Sequence, residues 1–506
     1  MTIVSDRRTA GFLERVESMQ YLCNVAGSIS SRLATLAVLI LLPAQLGLHD
    51  YGLFALVITL GEIIEMTSSN WFRLLLVRQS IQERTVDPSA TAGPAGWRPS
   101  FTAIAIGVAM LGVIAAAIVS PLMADSASFD LALAVSIYVV NFAVLRLVLT
   151  LLQAEGRQGL AGIVECIRGV AMLALVFGLI FAGWKSFYYA AIGYSLASGL
   201  AALISAPALL GGADRLLRQR LAPGTFTAIA VPTIIVTALT FQFGWMDRLI
   251  LQTWLGPSMV GLYVAATAVA RQPVDLVLFA LNQQAFPVML SHSKSESRTA
   301  DRQIAGILIA SCILGFGAAG ACITLAQPLV DCILPKFDRT IAVALIGPIA
   351  IGSVALGIKH VVFDNIFHTH GKNWQLLGYL SIVSIGTLLL SIEMVKRFGP
   401  FGASISFMTG SVLAVIVSER VSRSLWRFAF PADPLLRILV CAIIAGVTTQ
   451  FSLHWLSEQN PWLLLIGGGG IYALSYFIGL VLLMRFKIRR FLSAPWEHDI
   501  LARQHA

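Results

Sequence analysis

The sequence predicts an all-α membrane protein of about fourteen transmembrane helices, arranged as two parallel-repeat six-helix bundles followed by two C-terminal helices. Three observations predict this fold. The 506 residues are 57% hydrophobic and only 12% charged, with a mean hydropathy of +0.81, whereas a soluble domain carries roughly 25% charged residues. Apolar runs of membrane-spanning length cover most of the chain, and two short motifs recur at a nearly constant offset.

Each apolar run is long enough to cross a bilayer, which requires about 20 helical residues. The expected spans are 21–43, 51–76, 100–123, 129–152, 160–182, 187–210, 227–253, 258–288, 303–327, 341–367, 373–394, 400–419, 435–456 and 461–484. The polar segment from Thr2 to Gln20 precedes a run too long for a signal peptide, so we expect the first span to remain as an anchor. The longest inner loop, from Gln79 to Pro99, is rich in Pro, Gly, Ser and Thr and predicts a flexible connector.

The basic residues of the loops predict the orientation. A large majority fall on one side, which includes the N-terminal tail, the 211–226 segment and the basic tail after residue 484. The other side holds only Lys185, Lys336, Arg339, Lys396 and Arg397. The positive-inside rule therefore predicts a multi-pass protein with both termini in the cytoplasm.

A duplication predicts the architecture. Leu46-Gly47, four residues, then Gly52-Leu53-Phe54 is echoed about 209 positions later by Leu255-Gly256, four residues, then Gly261-Leu262-Tyr263. Glu155-Gly156-Arg157 is echoed about 215 positions later by His370-Gly371-Lys372. Six spans, an even number, separate each pair, so the halves are predicted to be parallel repeats, an arrangement typical of transporters.

The predicted organisation follows from these repeats. We expect an N-terminal lobe at 1–210, a cytoplasmic linker at 211–226, a C-terminal lobe at 227–433, two further spans at 434–484 and a basic cytoplasmic tail at 485–506.

Several function classes lack a sequence signal. The six cysteines form no CxxC pattern, and His360, His368 and His370 at one helix end are better explained as an interface patch than as metal ligands. No catalytic motif is recognisable, and the net charge of +9 is spread over helix ends rather than clustered for nucleic acid. We therefore expect no enzyme, no cofactor, no metal site and no nucleic-acid partner.

Charged residues inside the predicted spans are the site candidates, because a charge at mid-bilayer costs at least ~2.5 kcal/mol and is usually retained for function. Arg32 lies deep in span 1 without a carboxylate within four residues on its helix, and Arg271 lies near the middle of span 8. Guanidinium groups in a wet cavity suit phosphate. The candidates for binding a diphosphate or sugar are Arg32, Arg271, Arg248, Arg146, Gln242, Asn282 and Gln283.

Four acidic residues are the candidates for coupling transport to an ion: Glu62, Glu65, Asp247 and Asp275. Structural explanations stay open for several of these residues. Arg271 with Asp275, or Glu165 with Arg168, can form a neutral pair on one helix, Arg146 can extend to the interface, and intramembrane amides can join helices.

The chain resembles the multidrug/oligosaccharidyl-lipid/polysaccharide exporter superfamily, and within it the Wzx-type polysaccharide flippases. The resemblance rests on the segment from Asp247 to Ala266, on its first-lobe partner from Leu46 to Phe54, and on the turn from Gln153 to Arg157. It implies V-shaped lobes, alternating access, the bacterial inner membrane and a polyprenyl-diphosphate-linked oligosaccharide as substrate. It further implies that the last two helices help form a groove for the lipid tail.

These features lead us to expect a flippase for exopolysaccharide, capsule or O-antigen synthesis, which can act beside a polysaccharide polymerase and chain-length machinery. Two alternatives remain: a drug/cation antiporter of the same superfamily, whose sites favour acidic residues, and a membrane glycosyltransferase or polymerase. The second alternative requires a sizeable outward loop, and the predicted outward loops are short.

Overall fold

The computed structural model describes residues 3–85, 101–119, 128–209, 231, 233–235, 237–239, 241, 244–292, 298–334, 338–370, 372–426, 428, 430–455 and 460–484. Within these ranges the chain is almost entirely helical. The helices are α1 (Ile3–Leu46), α2 (Leu48–Thr85), α3 (Phe101–Val119), α4 (Ser128–Ala154), α5 (Gln158–Phe181), α6 (Phe187–Ser205), α7 (Met246–Leu255), α8 (Pro257–His292), α9 (Arg298–Thr324), α10 (Ala326–Ile333), α11 (Arg339–Ile358), α12 (Asn365–Thr369), α13 (Asn373–Ser422), α14 (Ala432–Trp455) and α15 (Pro461–Met484). A short 3-10 helix, Ala206–Leu209, follows α6, and a π-helix, Lys359–Asp364, joins α11 to α12.

The all-helical membrane fold predicted from the sequence is confirmed. In the described ranges, eleven helices are long and apolar enough to cross a membrane, and α3 contains a shorter apolar stretch. The predicted span 227–253 lies partly outside the described residues, so the count of fourteen stays a prediction. A helix satisfies all its backbone hydrogen bonds internally, which is why long apolar segments adopt it.

The chain divides into two compact units, Met1–Phe241 and Gln242–Ala506. Within the first unit, α1 packs on α5, α5 on α6, and α2 on α4. Within the second unit, α8 packs on α11, α11 on α13, and α14 on α9 and α15. Small residues allow close approach in the first unit, where a Cβ on Gly27 of α1 would lie 1.9 Å from the carbonyl oxygen of Gly162 on α5.

The 50-residue helix α13 is two antiparallel segments joined at a sharp kink. Gly399 has φ 58° and ψ −137°, a conformation that essentially only glycine adopts, and Pro400 follows it. The segments face each other through hydroxyl contacts, with Ser406 Oγ 3.1 Å from Ser391 Oγ and Ser418 Oγ 2.8 Å from Tyr379 Oη. The two runs predicted at 373–394 and 400–419 correspond to these two segments.

The sequence repeat is visible as a repeated backbone junction. Gly47 ends α1 with φ 81°, and Gly256 ends α7 with φ 79°. The Gly47 N–H donates to the Pro43 carbonyl, and the Gly256 N–H donates to the Gln252 carbonyl, each at 3.1 Å. Glycine is required at both places because a left-handed residue after a helix end strains any side chain.

The helices α1 and α2 extend well beyond their predicted spans. The α2 helix continues to Thr85, so the residues from Gln79 to Thr85 are helical rather than part of a connector, and α1 begins at Ile3, within the predicted polar tail. Both extensions continue an existing helix, which costs less than starting a new one. Polar composition therefore marked where the apolar run ends and not where the helix ends.

Candidate functional site

A buried ion cluster occupies the interior of the first unit. Arg146 on α4 donates from Nη2 to Glu62 Oε1 at 2.5 Å and from Nη1 to Glu65 Oε2, so one guanidinium group bridges two carboxylates of α2. Glu65 is fully buried and also accepts a 2.5 Å hydrogen bond from the Ser69 hydroxyl. A predicted substrate ligand and two predicted coupling acids therefore form one cluster, and both formal charges of the acids act on Arg146.

Aromatic rings form one wall of this cluster. Phe142 lies near two guanidinium groups, with its ring centroid 5.5 Å from the Arg146 carbon Cζ and 5.9 Å from that of Arg168. The Tyr138 ring stacks on Phe142 at 4.1 Å, and its hydroxyl donates to Glu62 Oε2 at 2.8 Å. These rings are nearly buried, so they orient the charged groups and do not offer a free face to a ligand.

A second arginine links α5 to α1. Arg168 donates from Nε to Glu165 Oε2 at 3.0 Å, which is the neutral pair that the spacing suggested, and from Nη2 to the Ser31 hydroxyl. Arg32, the neighbour of Ser31, is exposed, and it lies off the buried stripe of α1 that contains Gly27, Ser31 and Ala34. Its side chain is thus not buried, and its role as a diphosphate ligand stays a prediction.

Arg271 in the second unit is also held by a carboxylate. Its Nε lies 2.9 Å from Asp275 Oδ2, and its guanidinium carbon lies 5.3 Å from the Phe407 ring centroid. Gly244 makes room for it, because a Cβ on Gly244 would lie 1.9 Å from Arg271 Nη1. Arg271 is therefore positioned by charge, by an aromatic ring and by the absence of a side chain on a neighbouring loop.

The repeat places opposite charges at one position. Glu62 on α2 and Arg271 on α8 are separated by 209 residues, the offset that relates Gly47 to Gly256. Each is the intramembrane charge nearest to the repeated motif on its helix, and each is paired with a residue of opposite charge within its own unit.

Asp247 forms a hydroxyl-rich site in the second unit. It is 1% exposed and accepts hydrogen bonds from Ser391 Oγ at 2.8 Å and Tyr263 Oη at 3.3 Å. Ser406 extends this network through Ser391. Its neighbour Arg248 lies over the Trp245 ring at 4.7 Å. The contacts on Asp247 come from α8 and the first segment of α13, which sequence spacing alone does not bring together.

The amide candidates differ in placement. Asn282 accepts a 2.7 Å hydrogen bond from Asn365 Nδ2 and thereby links α8 to α12. Gln283 is partly exposed, and Gln242 lies outside the described residues. Asn282 thus acts at least as a contact between helices, one of the two explanations left open by the sequence.

The π-helix carries a charged cluster that the site prediction omitted. Lys359 Nζ donates to both oxygens of Asp364, at 3.0 and 2.7 Å, and His360 Nδ1 lies 2.7 Å from Asp364 Oδ2. Lys359 is only 2% exposed. Three charged or titratable residues within six positions of one span were the available sequence signal, but α-helical spacing does not pair the first with the last.

An apolar groove of about 750 Å³ runs along α9, α11 and α14. Its lining is apolar apart from Thr324 and Gln450, and Gln450 Nε2 donates to the Thr324 carbonyl at 2.6 Å. Val447 and Phe451, on its rim, are 64% and 67% exposed, so the groove is open to the surroundings of the unit. Such an apolar groove suits hydrocarbon.

The fold is similar to solved transporter structures. The lipid II flippase MurJ in an inward closed conformation aligns with a TM-score of 0.69 at 15% identity, covering 92% of this chain and 99% of that one. The MATE multidrug transporter DinF-BH aligns with a TM-score of 0.55 at 14% identity, covering 82% and 97%. At these identities the likeness concerns the fold. No curated protein matches the chain at a significant level.

A family model described as "Polysaccharide biosynthesis protein" matches residues 21–294, which is more than half of the sequence. The matched segment contains both copies of the repeated glycine junction, the Arg146 cluster, and Arg271 with Asp275. The chain therefore belongs to the polysaccharide biosynthesis protein family, with the transporter fold that MurJ and the MATE proteins share.

Proposed function

We propose that this protein is a flippase, which moves a polyprenyl-diphosphate-linked oligosaccharide across the bacterial inner membrane by alternating access for cell-surface polysaccharide synthesis. One observation carries the proposal: each unit holds a guanidinium group inside its membrane-spanning helices, bound there by a carboxylate. Family membership supports the pathway, and the fold supports transport.

The arginines suit the diphosphate of such a substrate. Arg146 and Arg271 present planar donor groups, which match phosphate oxygens in pairs. Both are compensated by acids in the observed state, so their burial does not leave an isolated charge. A diphosphate can replace these acids as the partner, while the exposed Arg32 and the polar Arg248, Asn282, Gln283 and Gln242 are further candidates for contacts with phosphate or sugar.

The acids suit coupling to an ion. A proton on Glu62 or Glu65 removes a charge from the pair of carboxylates and leaves a donor of Arg146 available to an anion. A proton on Asp275 would act on Arg271 in the same way, and Asp247 offers a buried carboxylate surrounded by hydroxyl groups. Ion binding and substrate binding would then depend on each other, as coupled transport requires.

The apolar groove suits the lipid tail of the substrate. It is lined by α14, one of the two helices that follow the second bundle, and it is open along Val447 and Phe451. A polyprenyl chain can occupy it, and the groove belongs to the same unit as Arg271. Membrane lipids are the other class of molecule that this groove would contact, and a polysaccharide polymerase with its chain-length machinery would use the flipped product.

A flipping assay tests the proposal. Purified protein in vesicles should move a fluorescent polyprenyl-diphosphate oligosaccharide between leaflets, and Arg32→Ala and Arg271→Ala should each reduce the rate strongly. The double variant Arg271→Ala/Asp275→Ala removes both members of the pair. Its flipping rate, compared with that of Arg271→Ala, shows whether the loss comes from the missing arginine or from an acid left without its partner. Arg397→Ala is the control, because Arg397 forms an equally spaced but exposed pair with Glu393.

The alternatives predict other outcomes of this assay. A drug/cation antiporter would leave the lipid in place and move an organic cation against protons, an activity that the buried Asp247 suits. A glycosyltransferase or polymerase would form glycosidic bonds. Normal flipping by both single variants would remove Arg32 and Arg271 as diphosphate ligands.

A further inference from the structure

We propose that His360, Asp364 and Lys359 form a proton-binding site in the second unit, with His360 Nε2 as the atom that takes up the proton. We further propose that this proton drives the transport cycle. The second statement rests on the proposed function, whereas the first does not.

The π-helix and the ion pair depend on each other. In an α-helix, residues five positions apart lie about 140° from each other around the axis, so Lys359 and Asp364 would point in different directions. The π-helix wraps with an i to i+5 repeat, which brings these two side chains onto the same face. The observed Nζ to Oδ2 distance of 2.7 Å therefore exists because the helix is widened here.

Burial makes this pair sensitive to any added charge. Lys359 is 2% exposed and Asp364 is 7% exposed, within a segment apolar enough to span a membrane. A buried pair is tolerated because its members neutralise each other, and an unbalanced charge in such a place is costly. With His360 neutral, the cluster has no net charge.

His360 provides the route for a proton. Its side chain is 43% exposed, in contrast to the two residues that it accompanies. Asp364 oxygens only accept hydrogen bonds, so Nδ1, at 2.7 Å from Oδ2, carries the hydrogen, and Nε2 of the neutral ring has a free lone pair. Histidine is the side chain that titrates near physiological pH. A proton on Nε2 would raise the net charge of the cluster to +1.

Among the described residues, the hydrogen bonds between the neighbouring helices and this segment come from uncharged groups. From α13, Tyr379 Oη lies 3.4 Å from Asp364 Oδ1 and accepts a hydrogen bond from Ser418. From α8, Asn282 binds Asn365, the residue after Asp364. The segment also packs on α9, which begins with Arg298, Asp301 and Arg302. Among the described residues, the charged groups bonded to Asp364 are Lys359 and His360.

Proton uptake would change the preferred conformation. Two cationic groups would then share one carboxylate, and the buried Lys359 would lose part of its compensation. A conformation in which the charged group of Lys359 or His360 reaches water would then be favoured. Conversion of the π-helix to an α-helix would turn the Lys359 side chain away from that of Asp364. Since the segment connects α11 to α12 and contacts α8 and α13, this change would be transmitted to the packing of the second unit.

Histidine titration tests the proton site without any transport. NMR spectra of histidine-labelled protein in lipid nanodiscs should contain a resonance that moves when the pH is changed and that is lost in His360→Asn. The Asn amide keeps a donor toward Asp364 but cannot take up a proton. His454→Asn is the matched control and should retain this resonance. A His360 signal that does not respond to pH would overturn the site.

Transport under a pH gradient tests the coupling. For one coupled proton, a gradient of one pH unit should shift the equilibrium distribution of a flipped lipid between leaflets about tenfold. His360→Asn should leave the distribution even, and His454→Asn should shift it as the unchanged protein does. An undiminished shift in His360→Asn would overturn the coupling. If the unchanged protein flips no lipid at all, the proposed function fails, and the histidine titration alone decides whether the proton site exists.

Discussion

Arg146 Nη2 lies 2.5 Å from Glu62 Oε1, and this contact joins two helices of the first unit through groups that are separated by 84 positions in the chain. Because Glu65 binds the same guanidinium group, the cluster contains one cation between two acids. The arginine is therefore as much a support for two buried carboxylates as it is a candidate ligand for phosphate.

This cluster predicts which of two variants of the protein is the more stable. Arg146→Ala should leave two buried carboxylates without their cation and destabilise the protein by about 3–5 kcal/mol. The triple variant Arg146→Leu/Glu62→Gln/Glu65→Gln removes all three charges and should melt at a higher temperature than Arg146→Ala. Thermal unfolding in one detergent would measure both variants. Equal melting temperatures would show that compensation of the acids is not what Arg146 provides.

The hydroxyl network at Asp247 predicts a difference between two buried serines of α13. Ser391→Ala removes the 2.8 Å hydrogen bond to Asp247 and should cost about 1–3 kcal/mol, because a buried acceptor loses its partner. Ser404→Ala is the control, because Ser404 is equally buried but donates to the Phe401 carbonyl of its own helix. Chemical or thermal denaturation should show a clearly smaller loss for Ser404→Ala.

The kink in α13 predicts opposite effects of one substitution at two glycines. Gly399→Ala should destabilise the protein by about 1–3 kcal/mol, because φ 58° with ψ −137° is strained for alanine. Gly386→Ala, within the first segment of α13, introduces a Cβ with no neighbour within 4 Å and should be neutral or stabilising. The melting temperatures of the two variants would test this expectation. Similar losses at both sites would argue against the backbone explanation.

The groove predicts a contrast between adjacent residues of α14. Ile443 lines the groove, whereas Ile444 is exposed outside it. Ile443→Trp should fill the space and weaken polyprenyl-phosphate binding about tenfold, or ~1.4 kcal/mol. Ile444→Trp adds the same bulk elsewhere and should bind normally. Fluorescence binding titrations in nanodiscs would compare them, and equal affinities would remove the groove as the tail site.

The π-helix predicts a structural change that does not require transport. Lys359→Met/Asp364→Leu removes both members of the ion pair without leaving a buried charge. The segment should then become α-helical, because the contact that favours the wider turn is gone. A cryo-EM structure of the double variant would show whether residues 359–364 retain the i to i+5 pattern, and retention would mean that packing alone imposes it.

Much of the fold was predictable because a membrane leaves few options. Apolar runs of sufficient length must become helices, and Gly47, Gly256 and Gly399 mark places where those helices end or bend. The spacing also indicated the pairs of Arg271 with Asp275 and of Arg168 with Glu165, since residues three or four apart share a helix face. Helix ends outside the apolar runs, such as Thr85, were not predictable from hydropathy.

The rest of the site depends on contacts between distant helices. Nothing in the spacing of Glu62 and Arg146, or of Asp247 and Ser391, indicates that these residues meet. Lys359 and Asp364 are near in sequence, yet α-helical geometry places them on different faces, and only the π-helix pairs them. Sequence reasoning thus identified most of the charged residues but not their partners.

The opposite signs of Glu62 and Arg271 have an evolutionary consequence. Two copies of one ancestral half would carry the same residue at this position, so at least one copy has changed there since the duplication. The two halves are consequently no longer interchangeable. A chimera built from two copies of one half would carry either two acids or two arginines at this position. The two halves of this chain therefore place different chemistry at one repeated position.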